Sequence, residues 1–213
     1  MQALIDRIRA PYLAQLQEPL AIAGQLLYRR GNFNGSFDQV ICDAQRAVGD
    51  AQIALSPGFR WGTSVLPGDP ITMERVLDQT CITYPETYVR EMTGEQIKLI
   101  LEDVGDNLFN PDPFYQQGGD MVRVGGMNYV IDPAAAAGQR ISDMTLDTGE
   151  VVAAAKTYRV AGWATVGSVA PGPPIWDVVA HYLRDLGTVE IDRINTPVIR
   201  GVASNPGVGN WNG

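Results

Sequence analysis

The chain has 213 residues, 45% of them hydrophobic and 19% charged, which suits one folded domain with appendages and excludes disorder throughout. Its formal net charge is −8, and its arginines (Arg7, Arg9, Arg29, Arg30, Arg60, Arg123) are scattered rather than gathered in a basic stripe, so nucleic acid is excluded as a partner. No apolar run reaches membrane-span length, and the charges within MQALIDRIRAPYLAQLQ interrupt any signal-peptide core.

Residues 2–18 read as a helix with Leu4, Ile5, Ile8, Tyr12, Leu13 and Leu16 on one face, interrupted at Pro11. We read 1–19 as a linker helix from something upstream, 20–200 as the main domain and 201–213 as a flexible tail. Residues 20–28 are predicted as a strand, followed by the loop RRGNFNGS. Ser36 then caps a helix, with Gln39 at capping-box spacing, a stripe of Phe37, Val40, Ile41, Ala44 and Val48, and an end at Gly49. A short buried strand over 51–55 runs into the turn Ser56-Pro57-Gly58-Phe59-Arg60-Trp61-Gly62.

A short helix is predicted over 72–79, with strands around 80–84 and 87–92. Thr93 and Gln96 form a second capping box, opening a helix that ends near Asn107. The irregular loop FNPDPFYQQGGD has the composition of a functional loop. Strands follow over 121–131, with a bulge or close approach at Gly125-Gly126, then over 141–146 and 151–163. A final helix spans 175–186. Helices and strands mix without a strict βαβ rhythm, so the fold class is α+β, a mixed β-sheet with flanking helices.

Cys42 and Cys81 form no CxxC and are read as small buried packing residues, a disulfide between them being the alternative. His181 is the single histidine. With no HExxH and no His-rich pair, the chain is not expected to hold a dinuclear metal site.

The turn after the 51–55 strand carries the chemistry. Glycine lets a backbone approach a ligand closely, and the planar fork of arginine suits a tetrahedral oxyanion. This stretch resembles the NGGGIR signature of 5'-nucleotidase C-terminal domains, with Arg60 in the place of the arginine that grips the substrate's phosphate. FDQVICDAQRAV, PGDPITMERVLDQTCITYP and VREMTGEQIKLILE resemble further segments of that family, and the likeness spans about residues 20–186. Two departures argue against a nucleoside substrate. Met121 stands where a stacking aromatic is found, and AGWATVGSVAPGPPIW lacks the GGDG, the phenylalanine and the ribose aspartate of the second clamp. Trp163 could supply one stacking face, although Trp163 and Trp176 read first as core.

SPGFRWG, DQTCITYPETYVREMTGE, ILEDVGDNLFNPDPFYQQGGDMVRVGG, YRVAGWA and PIWDVVAHYLRD together resemble the SoxB-type thiosulfohydrolases of bacterial sulfur oxidation. That resemblance implies a periplasmic enzyme whose N-terminal domain binds two manganese ions that activate water. It hydrolyses a terminal sulfonate from a cysteine on the glycine-rich arm of a SoxYZ-type sulfur carrier and releases sulfate. It implies a substrate-binding role for the present chain, inactive alone and holding no cofactor itself, with its own N-terminal metal domain and the carrier as partners. Arg60 is then the sulfonate anchor, assisted by backbone N–H groups near Gly58. Trp61, Tyr115 and Gln117 are channel-lining candidates, and Asp120 and Arg123 hold the QQGGD loop or meet the carrier. A structural ion pair is the alternative for the last two. A nucleotide-binding half of a 5'-nucleotidase and a non-catalytic carrier-binding module are the other readings.

Overall fold

The computed structural model describes residues 1–29, 31, 33–58, 62–81, 84–165 and 170–201. The N-terminal helix is broken where Pro11 predicts: α1 (Gln2–Arg9) passes through a 3-10 turn over Ala10–Tyr12 into α2 (Leu13–Leu16). Leu4, Ile5, Ile8 and Tyr12 of this stretch are exposed. The strand expected over 20–28 is β1 (Pro19–Ala23) only, because the chain turns at Gly24 and rejoins Val65 through a single bridge at Leu27.

α3 (Ser36–Gly49) buries Phe37, Val40, Ile41 and Ala44. Its cap is one residue earlier than the spacing suggests. Gly35 is the N-cap, and its N–H donates to Asp38 Oδ2 at 2.8 Å. The Ser36 hydroxyl is engaged elsewhere, donating to the Leu26 carbonyl at 2.7 Å and accepting from the Tyr28 N–H at 3.1 Å. Asp50 ends the helix in the left-handed conformation.

β2 (Ile53–Ser56) is buried along its whole length, and β3 (Pro70–Thr72) leads directly into α4 (Met73–Thr80). The Thr72 hydroxyl caps α4, accepting from the Arg75 N–H at 3.3 Å. α4 runs through Thr80, so the expected strand at 80–84 does not begin there; Ile82 and Thr83 lie outside the described residues. β4 (Thr87–Thr93) meets α5 (Gly94–Phe109) at the expected capping box, with Thr93 N–H to Gln96 Oε1 at 2.8 Å and Gln96 N–H to Thr93 Oγ1 at 3.2 Å. The 121–131 run divides into β5 (Arg123–Gly125) and β6 (Met127–Ile131) at Gly126, whose φ is +78°. β7 (Ile141–Leu146), β8 (Thr157–Trp163) and α6 (Ile175–Leu186) follow, with the two-residue strands β9 (Thr188–Val189) and β10 (Val198–Ile199) at the end.

The central sheet has the order β4-β8-β2-β5 and is mixed: β2 runs parallel to β8 and antiparallel to β5, and β4 pairs antiparallel with β8. Smaller sheets, β3-β1-β9 and β10-β6-β7, flank it. This is the α+β architecture read from the sequence. Two apolar cores result. One joins α3, α4 and α6 with β1 and includes Phe37, Ile41, Val76 and Leu183. The other joins α5 with β2, β8 and β5–β7 and includes Ile53, Leu55, Ile97, Leu101 and Val160. β2 is therefore covered on both faces, and its C-terminal end delivers Pro57 and Gly58. α3 lies close on the sheet because Gly125 has no side chain: a Cβ there would sit 2.5 Å from Cys42 Cβ.

Candidate functional site

Arg60 and Trp61 lie outside the described residues. Pro57 and Gly58 leave β2 and pack on the segment entering β5. A Cβ on Gly58 would stand 2.4 Å from the Met121 carbonyl oxygen and 2.7 Å from Asp120 Cβ. Glycine is required here by that close backbone approach, a reason the turn motif by itself does not disclose.

Against Pro57 and Gly58 lies a buried charge network. Arg29, Asp38, Asp120 and Arg123 are 2%, 0%, 7% and 0% exposed, which demands that they pair. Arg29 Nε donates to Asp38 Oδ1 at 2.6 Å. Arg123 Nε lies 3.4 Å from the same oxygen, and its Nη2 donates to Asp120 Oδ2 at 3.3 Å and to the Gly31 carbonyl at 2.7 Å. Burial pulls the Arg123 pKa below its ordinary value, with Asp38 and Asp120 acting against that fall. Arg29 spends its other two nitrogens on carbonyl oxygens, Gln79 at 2.6 Å and Pro57 at 2.8 Å. Asn34 clasps Val124 with both amide atoms, at 2.7 and 3.2 Å. Two arginines and two aspartates thus fix three separate connections against the ends of β2 and β5.

Of the site candidates, Gly58, Asp120 and Arg123 come together. Ser56 is opposite Arg123 in the β2–β5 register, and the Asp120–Arg123 contact is a buried ion pair beneath the loop. Tyr115 and Gln117 stay apart from them, exposed on the connection that leads to Asp120. Tyr115 is 59% exposed at the end of a 3-10 turn over Pro113–Tyr115, and its ring stands edge-on to Phe114 at 5.6 Å. Gly118 and Gly119 follow with φ of +79° and +97°.

Neither of the two residues weighed as base-stacking positions offers an open face. Met121 is fully buried in the α5-side core. Trp163 is 4% exposed, and its indole N–H donates to Ser56 Oγ at 2.8 Å. Cys42 is buried and packed on Gly125, but Cys81 is exposed, and both thiols are free. Cys81 is not a buried packing residue because it is the C-cap of α4, just past the buried face, on the wall of an open groove of about 860 Å³ lined also by Leu16, Thr63, Arg75, Leu77 and Asp78. Burial, and secondarily Asp38 and Asp43, push the Cys42 thiol well up. His181 is exposed, 3.8 Å from Asp185. Among the described residues no group of three His, Cys, Asp or Glu is arranged to hold a metal ion, and no helix is long and apolar enough to cross a membrane.

Arg29, Asn34, Asp38 and Gln79 are absent from the candidates that the sequence suggests. The only local signal for Asp38 is a carboxylate set inside the apolar stripe of α3, between Phe37 and Val40.

No curated protein matches the chain. Among solved structures it is similar to a Thermus thermophilus sulfate thiohydrolase SoxB in complex with glycerol, at 37% identity over 94% of this chain and 38% of that one, with a TM-score of 0.86. It shares the fold of a 5'-nucleotidase precursor from Thermus thermophilus, at 22% identity, 93% and 42% coverage and a TM-score of 0.72. It likewise shares the fold of the Haemophilus influenzae NAD nucleotidase NadN, at 15% identity, 93% and 41% coverage and a TM-score of 0.71. The chain spans about two fifths of the length of each. The family model for the 5'-nucleotidase C-terminal domain matches residues 21–172, and the chain belongs to that family.

Proposed function

We propose that the chain is the substrate-binding domain of a SoxB-type thiosulfohydrolase, which hydrolyses a carrier-bound cysteine S-thiosulfonate and releases sulfate during sulfur oxidation in the periplasm. The observation that carries this reading is the 37% identity with the sulfate thiohydrolase over 94% of the chain, against 22% or less for the nucleotidases above. The burial of Met121 and Trp163 adds support, because a base needs an open aromatic face. In this reading Arg60 binds the sulfonate, the backbone near Gly58 assists, and Trp61, Tyr115 and Gln117 border the path of the carrier's arm. In this reading the two manganese ions belong to a domain outside this chain, and this chain holds no cofactor itself. The partners are that domain and a SoxYZ-type carrier.

A nucleotidase half is the second reading, favoured by the exposed Phe114–Tyr115 pair, which presents aromatic surface to solvent. Titration calorimetry of the chain with a glycine-rich peptide bearing a cysteine S-thiosulfonate, and separately with AMP, tests the choice. The thiosulfohydrolase reading expects the peptide to bind, Arg60→Ala to weaken it about tenfold, and AMP to bind more weakly. Tighter binding of AMP, lost in Tyr115→Ala, would favour the nucleotidase.

A further inference from the structure

We propose that the outer edge of β4, at Val89 and Glu91, is a docking site for an extended peptide segment of another polypeptide, one that carries a basic residue and, two positions on, a large apolar one. This site is separate from the one around Gly58 and does not depend on the thiosulfohydrolase reading. β4 is an edge strand of the central sheet, with β8 on one side only. Successive residues of a strand turn their backbone groups to alternate sides. Gly94, just past β4, donates its N–H to the Lys156 carbonyl at 3.1 Å, so the even-numbered positions face β8 and the odd-numbered ones face outward. The outward positions at the two ends of β4 are satisfied by the chain itself. Thr87 donates its N–H to the Pro173 carbonyl at 3.0 Å, and its carbonyl accepts from the Gly172 N–H at 2.8 Å. Thr93 donates its N–H to Gln96 Oε1 at 2.8 Å. Val89 and Glu91, between them, are exposed and have no such partner among the described residues.

The side chains of Val89 and Glu91 share the face of the sheet that carries α3, because a Cβ on Gly49 of that helix would stand 2.9 Å from Val89 Cγ2. On that face a cleft of about 300 Å³ adjoins the edge, walled by Val48, Gly49, Val89, Pro171, Pro173 and Val178. A strand added to β4 places the residue opposite Val89 over this apolar cleft, and its next residue on the same face stands opposite Glu91. Glu91 forms no ion pair among the described residues and the chain carries a net charge of −8, so lysine or arginine is favoured at the second position. The backbone ladder supplies affinity, and the two side-chain positions select the sequence. An antiparallel addition is slightly the more stable, and it reads basic-x-apolar from the N to the C terminus. A second copy of the chain is a poorer occupant. Pairing two β4 edges antiparallel about Arg90 would set one Arg90 directly opposite the other, and each guanidinium already lies over its own Tyr88 ring at 4.2 Å.

The test titrates the 213-residue chain with the peptide acetyl-Thr-Lys-Thr-Leu-amide and follows the backbone amides by NMR. The Val89 and Glu91 amides are expected to shift and, at saturation, to gain about tenfold protection from hydrogen exchange. N-methylation of the peptide's leucine removes the donor opposite Val89 and should weaken binding about tenfold. Glutamate in place of the peptide's lysine should weaken it about fivefold, and Glu91→Lys should reverse that preference. Should Glu91→Lys fail to fold, the N-methylated peptide decides on the unmodified chain. Val89 and Glu91 amides that do not respond, or equal binding of the N-methylated peptide, overturn the proposal. A preference for lysine that survives in Glu91→Lys overturns the basic position. Protection of both amides that rises with chain concentration in the absence of peptide, together with a dimer in sedimentation, overturns the peptide in favour of a second copy.

Discussion

Replacing Asp38 by asparagine tests whether the floor of the site is held by charge. Both side chains of the Asp38–Arg29 pair are 0% exposed and 2.6 Å apart, and Arg123 shares the same oxygen at 3.4 Å. Asparagine keeps the volume and one acceptor, but it places two buried guanidinium groups against a neutral partner and must choose between Arg29 and the Gly35 N–H. Removing one member of a buried pair costs about 3–5 kcal/mol, and the retained acceptor argues for the lower end, about 3 kcal/mol. For a domain of this size that is a fall in Tm of about 6–12 °C. Urea unfolding followed by circular dichroism measures the change, provided the slope with denaturant is unaltered. Asp185→Asn is the control: its contact with His181 is exposed at 3.8 Å, and it should shift stability by no more than about 0.5 kcal/mol. A loss below about 1 kcal/mol for Asp38→Asn would refute the reasoning, since hydrogen bonding alone would then hold the network.

Gly58→Ala should cost about 1–3 kcal/mol in the same assay, because its Cβ would meet the Met121 carbonyl at 2.4 Å; a neutral result would mean that the segment entering β5 yields. One thiol should react with a disulfide reagent in the native chain and two after unfolding, since Cys81 is exposed and Cys42 is buried with its pKa raised. Arg60→Ala, in a protein that carries the metal domain, should lower kcat/KM at least tenfold, or about 1.4 kcal/mol; an unchanged value would remove Arg60 from the site.

What the sequence disclosed was local. The Thr93–Gln96 box, the break at Pro11 and the helix over 175–186 depend on neighbours within a turn of helix, and each is found where periodicity and capping place it. The α3 cap shows the limit. Ser36/Gln39 and Gly35/Asp38 have the same spacing, and the choice was made from afar: Ser36 is held by Leu26 and Tyr28, and Gln39 by Asn195, 156 residues away. Cys81 and its neighbours resemble a strand by composition, yet α4 extends through Thr80 on the packing of Met73 and Val76. Two-residue strands such as β9 and β10 carry no readable period. The buried charge network was illegible for a related reason: Arg29 looks like any arginine before a glycine loop until Asp38, Pro57 and Gln79 are brought to it from 9, 28 and 50 residues away.

The most direct test of the central claim is turnover by the protein that joins this chain to its metal domain, loaded with manganese. A carrier peptide bearing a cysteine S-thiosulfonate and AMP are offered separately, and sulfate and phosphate are measured. Sulfate release from the peptide is expected, with little phosphate from AMP and neither product from the 213-residue chain alone. Phosphate release without sulfate release would contradict it and place the chain with the nucleotidases in function as well as in fold.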